Sequence, residues 1–125
     1  MAPTTCRLRC GKHNYSNVMK EQERKEKAIR EYNEVYLKYK AEFDRGAEAI
    51  SKWVEHQDEP KKSKLYKAIL DETVANCNAM AERFIEVCGA AYYYGHAVDK
   101  DLWAHAVKAL YYLRKKNLMP LYDHD

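Results

Sequence analysis

The sequence predicts an all-α protein, an antiparallel three-helix bundle built on a long helical hairpin with a short basic N-terminal arm. Two observations carry that expectation. Ile29, Tyr32, Tyr36, Tyr39, Phe43, Ile50 and Trp53 recur at alternating spacings of three and four residues, with only Gly46 interrupting the series. That rhythm keeps one face of a helix apolar. A second stripe, Tyr66, Leu70, Val74, Cys77, Ala81, Phe84, Cys88 and Ala91, repeats the pattern on the far side of Pro60.

Residues 1–15 form the arm, and residues 16–125 the bundle. The arm carries Arg7, Arg9 and Lys12 and no acid. Ser16 has the chemistry of an N-cap, and no proline falls between Lys20 and Gln57. Glutamates precede a base by four residues at Glu21/Lys25, Glu23/Lys27, Glu26/Arg30, Glu34/Lys38 and Glu48/Lys52. Each such pair supports an exposed helix by about 0.2–0.5 kcal/mol. Lys20 to Lys27 contains no apolar residue, so the first turns should project beyond the packed core.

Asp58-Glu59-Pro60 ends the first helix, because proline restricts its predecessor and donates no backbone hydrogen bond. The second helix should run over about 63–94 and stop near Gly95. Asp99 then caps a third, with Leu102, Trp103, Ala106, Leu110 and Leu113 inward and Asn117 as its stop. Pro120 prevents continuation, and Leu118, Met119, Leu121 and Tyr122 should dock the end of the chain onto the bundle.

Folding the hairpin about Pro60 pairs Phe43 with Cys77, Tyr36 with Phe84, and Gly46 with Val74. The third helix is too short to cover the hairpin, so the Pro60 end should keep Ile50, Trp53, Tyr66 and Leu70 bare. Contiguous exposed apolar surface is uncommon on soluble monomers. Either the end of the chain folds over this patch or a protein partner, including a second copy, covers it.

Tyrosine is the most unusual component, with 11 residues against 2 phenylalanines. A buried tyrosine needs a hydrogen-bond partner, so this excess marks either hydroxyls reaching the rim of the core or a half-wet interface. Tyr92, Tyr93, Tyr94 and Tyr111, with Tyr112, make a second candidate partner-binding patch where helices two and three adjoin.

Other functional classes have less behind them. At 46% hydrophobic and 33% charged, 125 residues suit one helix-rich domain rather than a disordered chain. No apolar run reaches the roughly 18 residues of a membrane span, and the first fifteen residues are polar, so the expectation is a cytoplasmic protein without a membrane partner. The four cysteines do not read as a disulfide framework in that setting. Cys77 and Cys88 fall on the apolar stripe as small core residues.

Cys6, Cys10 and His13 offer zinc-type ligands, with His96 as a fourth if the fold brings it near. The Cys-x3-Cys spacing departs from the usual knuckle, so the ordinary reading is free thiols and no cofactor. Arg7, Arg9, Lys12, Lys61, Lys62, Lys64 and Arg114, Lys115, Lys116 are the residues that would contact phosphates if the chain bound RNA or DNA within a nucleoprotein complex. Lysine clusters more often mark solvated helix faces.

Nothing spells out catalysis. There is no glycine-rich phosphate loop, no Glu-x-x-His pair and no flanked nucleophile. Asp101 and His105 are an i, i+4 pair, which an exposed contact explains as well as a dyad does. The expectation is a non-catalytic interaction protein that docks a Tyr/Trp-rich surface onto a protein or onto itself. Its size suits a small accessory subunit or inhibitor of the kind a phage or mobile element encodes.

Overall fold

The computed structural model describes the backbone of residues 2–116 and the side chains of residues 20–116. It is an antiparallel three-helix bundle, α1 (Ala2–Glu55), α2 (Pro60–Tyr93) and α3 (Lys100–Lys115), with no strand among the described residues. Helix α1 packs along α2, and α3 packs back onto α2.

The first helix begins earlier than its sequence implies. Backbone residues from Ala2 are helical, so Ser16 lies inside α1 and does not start it, and the basic arm continues the helix. Among the described side chains of α1 burial begins at Ala28, and every residue from Lys20 to Lys27 is exposed, as the absence of apolar residues there requires. None of the five expected Glu-to-base pairs lies within 4.0 Å; Arg24–Glu21, Lys27–Glu31 and Lys40–Asp44 form instead. Two pairs cross between α1 and α2, Arg45–Glu72 and Arg83–Glu31, both at 3.4 Å.

Pro60 occupies the first turn of α2, where its missing N–H would have had no partner. Glu59 precedes it with extended backbone, and its carboxylate takes His56 Nδ1 at 2.6 Å and Lys62 Nζ at 3.2 Å. These two partners, His56 foremost, hold the Glu59 carboxyl below the ordinary glutamate value. At the other end Gly95 adopts φ +83°, the left-handed conformation that ends helices at glycine. Its neighbours close the turn, with His96 N–H donating to Ala91 O at 3.0 Å and Gly95 N–H to Tyr92 O at 2.9 Å.

Asp99 caps α3 as expected, Oδ1 accepting from Leu102 N–H at 3.1 Å. The helix then runs 16 residues, or about 24 Å, against about 51 Å for the 34 residues of α2. It stops at Lys115, two residues before Asn117.

The core lies between Tyr32, Tyr39, Cys77, Ala81, Phe84, Val87, Cys88, Ala91, Leu102 and Ala106. The hairpin register is shifted by one residue from the expected pairing at Gly46. Thr73 is the buried residue facing Gly46, while Val74 is 49% exposed. A Cβ at Gly46 would lie 2.7 Å from Thr73 Oγ1, so the helices approach here only because residue 46 has no side chain.

Candidate interface: a groove beside the third helix

Three tyrosines of α1 stack against one phenylalanine of α2. Tyr39 meets Phe84 at 4.4 Å between ring centroids, and Tyr32 and Tyr36 lie 6.4 and 6.5 Å from it. Their hydroxyls all turn toward α3. Asp99 N–H donates to Tyr32 Oη at 2.8 Å, and Tyr36 Oη donates to Asp99 Oδ2 at 3.4 Å. Tyr39 Oη lies 2.9 Å from His105 Nδ1. Phenylalanine would fill the same space but leave the start of α3 unanchored. The seam tyrosines are therefore core residues that hold the third helix, and this excess of tyrosine is structural.

The sense of the Tyr39–His105 bond follows the histidine tautomer. Burial raises the Tyr39 pKa, with Cys77 and Cys88 adding to it, so the hydroxyl keeps its proton. No other acceptor meets that hydroxyl among the described residues, and with the ring hydrogen on Nε2 it donates to Nδ1. Burial, then the Lys108 charge, lowers the His105 pKa. Asp101 is not its hydrogen-bond partner. The Phe43 ring meets the imidazole edge-on at 4.8 Å.

Past His105 an open groove of about 710 Å³ lies between the three helices. Phe43, Ala47 and Ile50 of α1 form one wall, and Leu70, Val74 and Cys77 of α2 the other. Ala109, Tyr112 and Leu113 of α3 form the third side, with Lys108 and Lys116 at its edge. Glu42 also lines it, but its carboxylate is held by Arg45 at 3.3 Å and by Asn76 Nδ2 at 3.0 Å. The groove spans residues 42–50 on α1 and 70–78 on α2, about 12 Å or a little over two helical turns.

Of the anticipated patch at the Pro60 end, Ile50 and Leu70 line the groove. Trp53 and Tyr66 sit beyond it toward the turn, half-buried, Trp53 beneath Lys67 Nζ at 5.9 Å and Tyr66 stacked on His56 at 5.5 Å. Val74, Tyr112 and Leu113 complete the groove and were not among the expected anchors. Val74 and Leu113 had read as core because they continue an apolar stripe, and a stripe does not reveal where the opposing helix ends.

The second tyrosine patch is divided. Tyr92 packs edge-on against Trp103 at the start of α3, and Tyr93 meets Tyr94 at 5.0 Å. Tyr111 lies eight residues past Trp103, about 12 Å along α3. Tyr92, Tyr93 and Tyr111 are all more than half exposed.

The basic clusters lie on different helices. Lys61, Lys62 and Lys64 open α2, whereas Arg114, Lys115 and Lys116 end α3. Lys62 is paired with Glu59, and Lys115 and Lys116 lie over the rings of Tyr111 and Tyr112. Arg7, Arg9, Lys12, Cys6, Cys10 and His13 lie outside the described side chains. His96 packs edge-on against Tyr32 at 5.5 Å, and nineteen helical residues, about 28 Å, separate Tyr32 from His13. That places His96 out of reach as a fourth ligand. Among the described residues no three His, Cys, Asp or Glu side chains gather as a metal site. No described helix is long and apolar enough to cross a membrane.

No protein-family model matches the chain, and the searches found no similar curated protein or solved structure.

Proposed function

We propose that this chain is a docking module whose groove receives an apolar-faced helix from a partner protein. The observation that carries the reading is the three-sided apolar channel between Phe43 and Ile50 of α1, Leu70 and Val74 of α2, and the C-terminal half of α3. Partner helices commonly enter such grooves through anchors at i, i+3, i+4 and i+7, and two turns are room for about three anchors. Ile50 and Val74, each close to half exposed, lie on opposite walls and would contact them from both sides.

Binding of RNA or DNA remains the rival reading, through Lys61, Lys62, Lys64 and Arg114, Lys115, Lys116. It has less support because several of these residues already have intramolecular partners.

Photo-crosslinking in cells of the source organism tests the proposal. A benzophenone amino acid at Val74 should capture one discrete protein, and the same probe at Leu37, 67% exposed but outside the groove, should not. Equal capture from both positions, or nucleic acid in place of protein, overturns it.

A further inference from the structure

The groove beside α3 has a cationic end and an apolar end. His105 and Lys108 line its start, and Leu113, eight residues or about 12 Å past His105, lines it with Ile50 and Leu70 toward the Pro60 end. Most of its other polar groups are already matched. Arg45 and Asn76 hold the Glu42 carboxylate at 3.3 and 3.0 Å, and Thr73 Oγ1 donates to Leu70 O at 2.8 Å. Lys116 lies over the Tyr112 ring at 4.9 Å.

His105 and Lys108 are the exceptions. No carboxylate lies within 4.0 Å of Lys108 among the described residues. The His105 ring is held from behind, by Tyr39 Oη at 2.9 Å from Nδ1 and by the Phe43 edge contact at 4.8 Å. Its Nε2 meets no hydrogen-bond partner among the described residues, and with Tyr39 donating to Nδ1 it carries the ring hydrogen. Burial and then the Lys108 charge lower the His105 pKa, so the ammonium acts on the same ring.

An oriented N–H beside an unpaired ammonium, at one end of an apolar trough, is complementary to one carboxylate carrying an apolar tail. The size agrees. The groove's volume of about 710 Å³ lies within the range of about 300–1,000 Å³ usual for small-molecule sites, which combine apolar walls with a few placed polar groups.

We infer that the groove also binds a free medium-chain fatty carboxylate, its head on His105 Nε2 and Lys108 Nζ and its tail along Ala109, Leu113, Ile50 and Leu70. The inference stands on the groove's own geometry and charge and does not need the docking reading. Where both hold, the two occupants share the Ile50 and Leu70 walls, so the carboxylate competes with the partner helix.

The test is calorimetric titration of the full chain with decanoate, kept below the concentration at which it forms micelles. One equivalent should bind, and decyltrimethylammonium, the same tail with the opposite charge, should bind at least tenfold more weakly. Lys108→Glu should weaken decanoate at least tenfold and narrow or reverse that preference. His105→Phe should weaken decanoate several-fold, and Ile50→Glu should remove its binding. All three positions are exposed, so helical circular dichroism should be unchanged. The comparison of the two head groups on the wild type stands even if a variant unfolds.

No binding of decanoate overturns the inference, as do several equivalents, equal affinity for both head groups, or indifference of the folded Lys108→Glu variant. Binding to phosphatidylglycerol vesicles without binding to decanoate also overturns it, by giving the cations to a lipid surface. Failure of the docking reading looks different. Decanoate would still bind as described while the Val74 probe captured no other protein.

Discussion

Tyr39 Oη and His105 Nδ1 meet at 2.9 Å across the seam between α1 and α3, with the tyrosine wholly buried and the histidine open to solvent on its other edge. That bond sets where α3 lies, and therefore where the groove begins. It also makes the bundle sensitive to acid. Because the His105 pKa is lowered in the folded state, the unfolded chain binds more protons between that value and about 6.5. Stability should be greatest above about pH 6.5 and fall as the pH drops toward the folded value. Urea midpoints on either side of that window should differ in the wild type, and His105→Gln should flatten the difference. Glu59, whose pKa is lowered by His56 and then Lys62, also contributes stability that is lost on acidification, but as the pH falls from the ordinary glutamate value through the lower folded one, below this window.

Phe84 is the ring on which all three seam tyrosines stack, and it has no exposed surface. Phe84→Ala should lower stability by about 3–5 kcal/mol, as for other buried aromatics. Phe43 faces the groove and is only half-buried, so Phe43→Ala should lose roughly 1–2 kcal/mol. Chemical denaturation of the two variants decides whether the core centre lies at Phe84. Equal losses would place it elsewhere.

Gly46→Ala pits helix propensity against overlap. Alanine favours a helix interior by about 0.5–1 kcal/mol, but the new methyl would sit 2.7 Å from Thr73 Oγ1. Thr73 is β-branched and already donates to Leu70 O at 2.8 Å, so rotation does not clear the space. Overpacking costs of about 1–3 kcal/mol should win, leaving the variant less stable. Thr73→Ala in the same chain should restore much of the loss, and a double-mutant cycle measures the coupling.

The buried thiols should resist alkylation. Burial pushes the Cys88 thiol up to about 12, with Asp99 adding to it, and raises Cys77 as well, aided by Glu42. Reactivity follows the thiolate, so iodoacetamide should label both far more slowly in the native protein than in urea. Peptide mass spectrometry should find Cys88 slower than Cys77, which borders the groove. Rapid native labelling of Cys88 would mean that the α1–α2 seam opens.

The hairpin and the Asp99 cap were legible because each rests on a local signal, namely a 3.5-residue rhythm interrupted at a proline and a capping side chain. The register at Gly46 was not, since choosing Thr73 over Val74 depends on how closely two helices approach. Polarity also misled, because a stripe read by hydropathy prefers valine inward, whereas the space beside Gly46 suits a threonine that satisfies its hydroxyl on Leu70 O. The seam tyrosines were ambiguous for a related reason. Their partners, Asp99 and His105, lie more than sixty residues away in the chain. Helical spacing placed Ile50 and Leu70 toward the Pro60 end, but the contribution of Tyr112 and Leu113 depended on how α3 lies against the hairpin.

The most direct measurement is the affinity of the captured partner, once purified, for the wild type and for Ile50→Glu/Val74→Glu at low and high salt. An apolar docking groove predicts a loss of tenfold or more in the variant, about 1.4 kcal/mol or above, with little change in wild-type binding as salt rises. Wild-type binding that collapses with salt and ignores both substitutions would contradict the account.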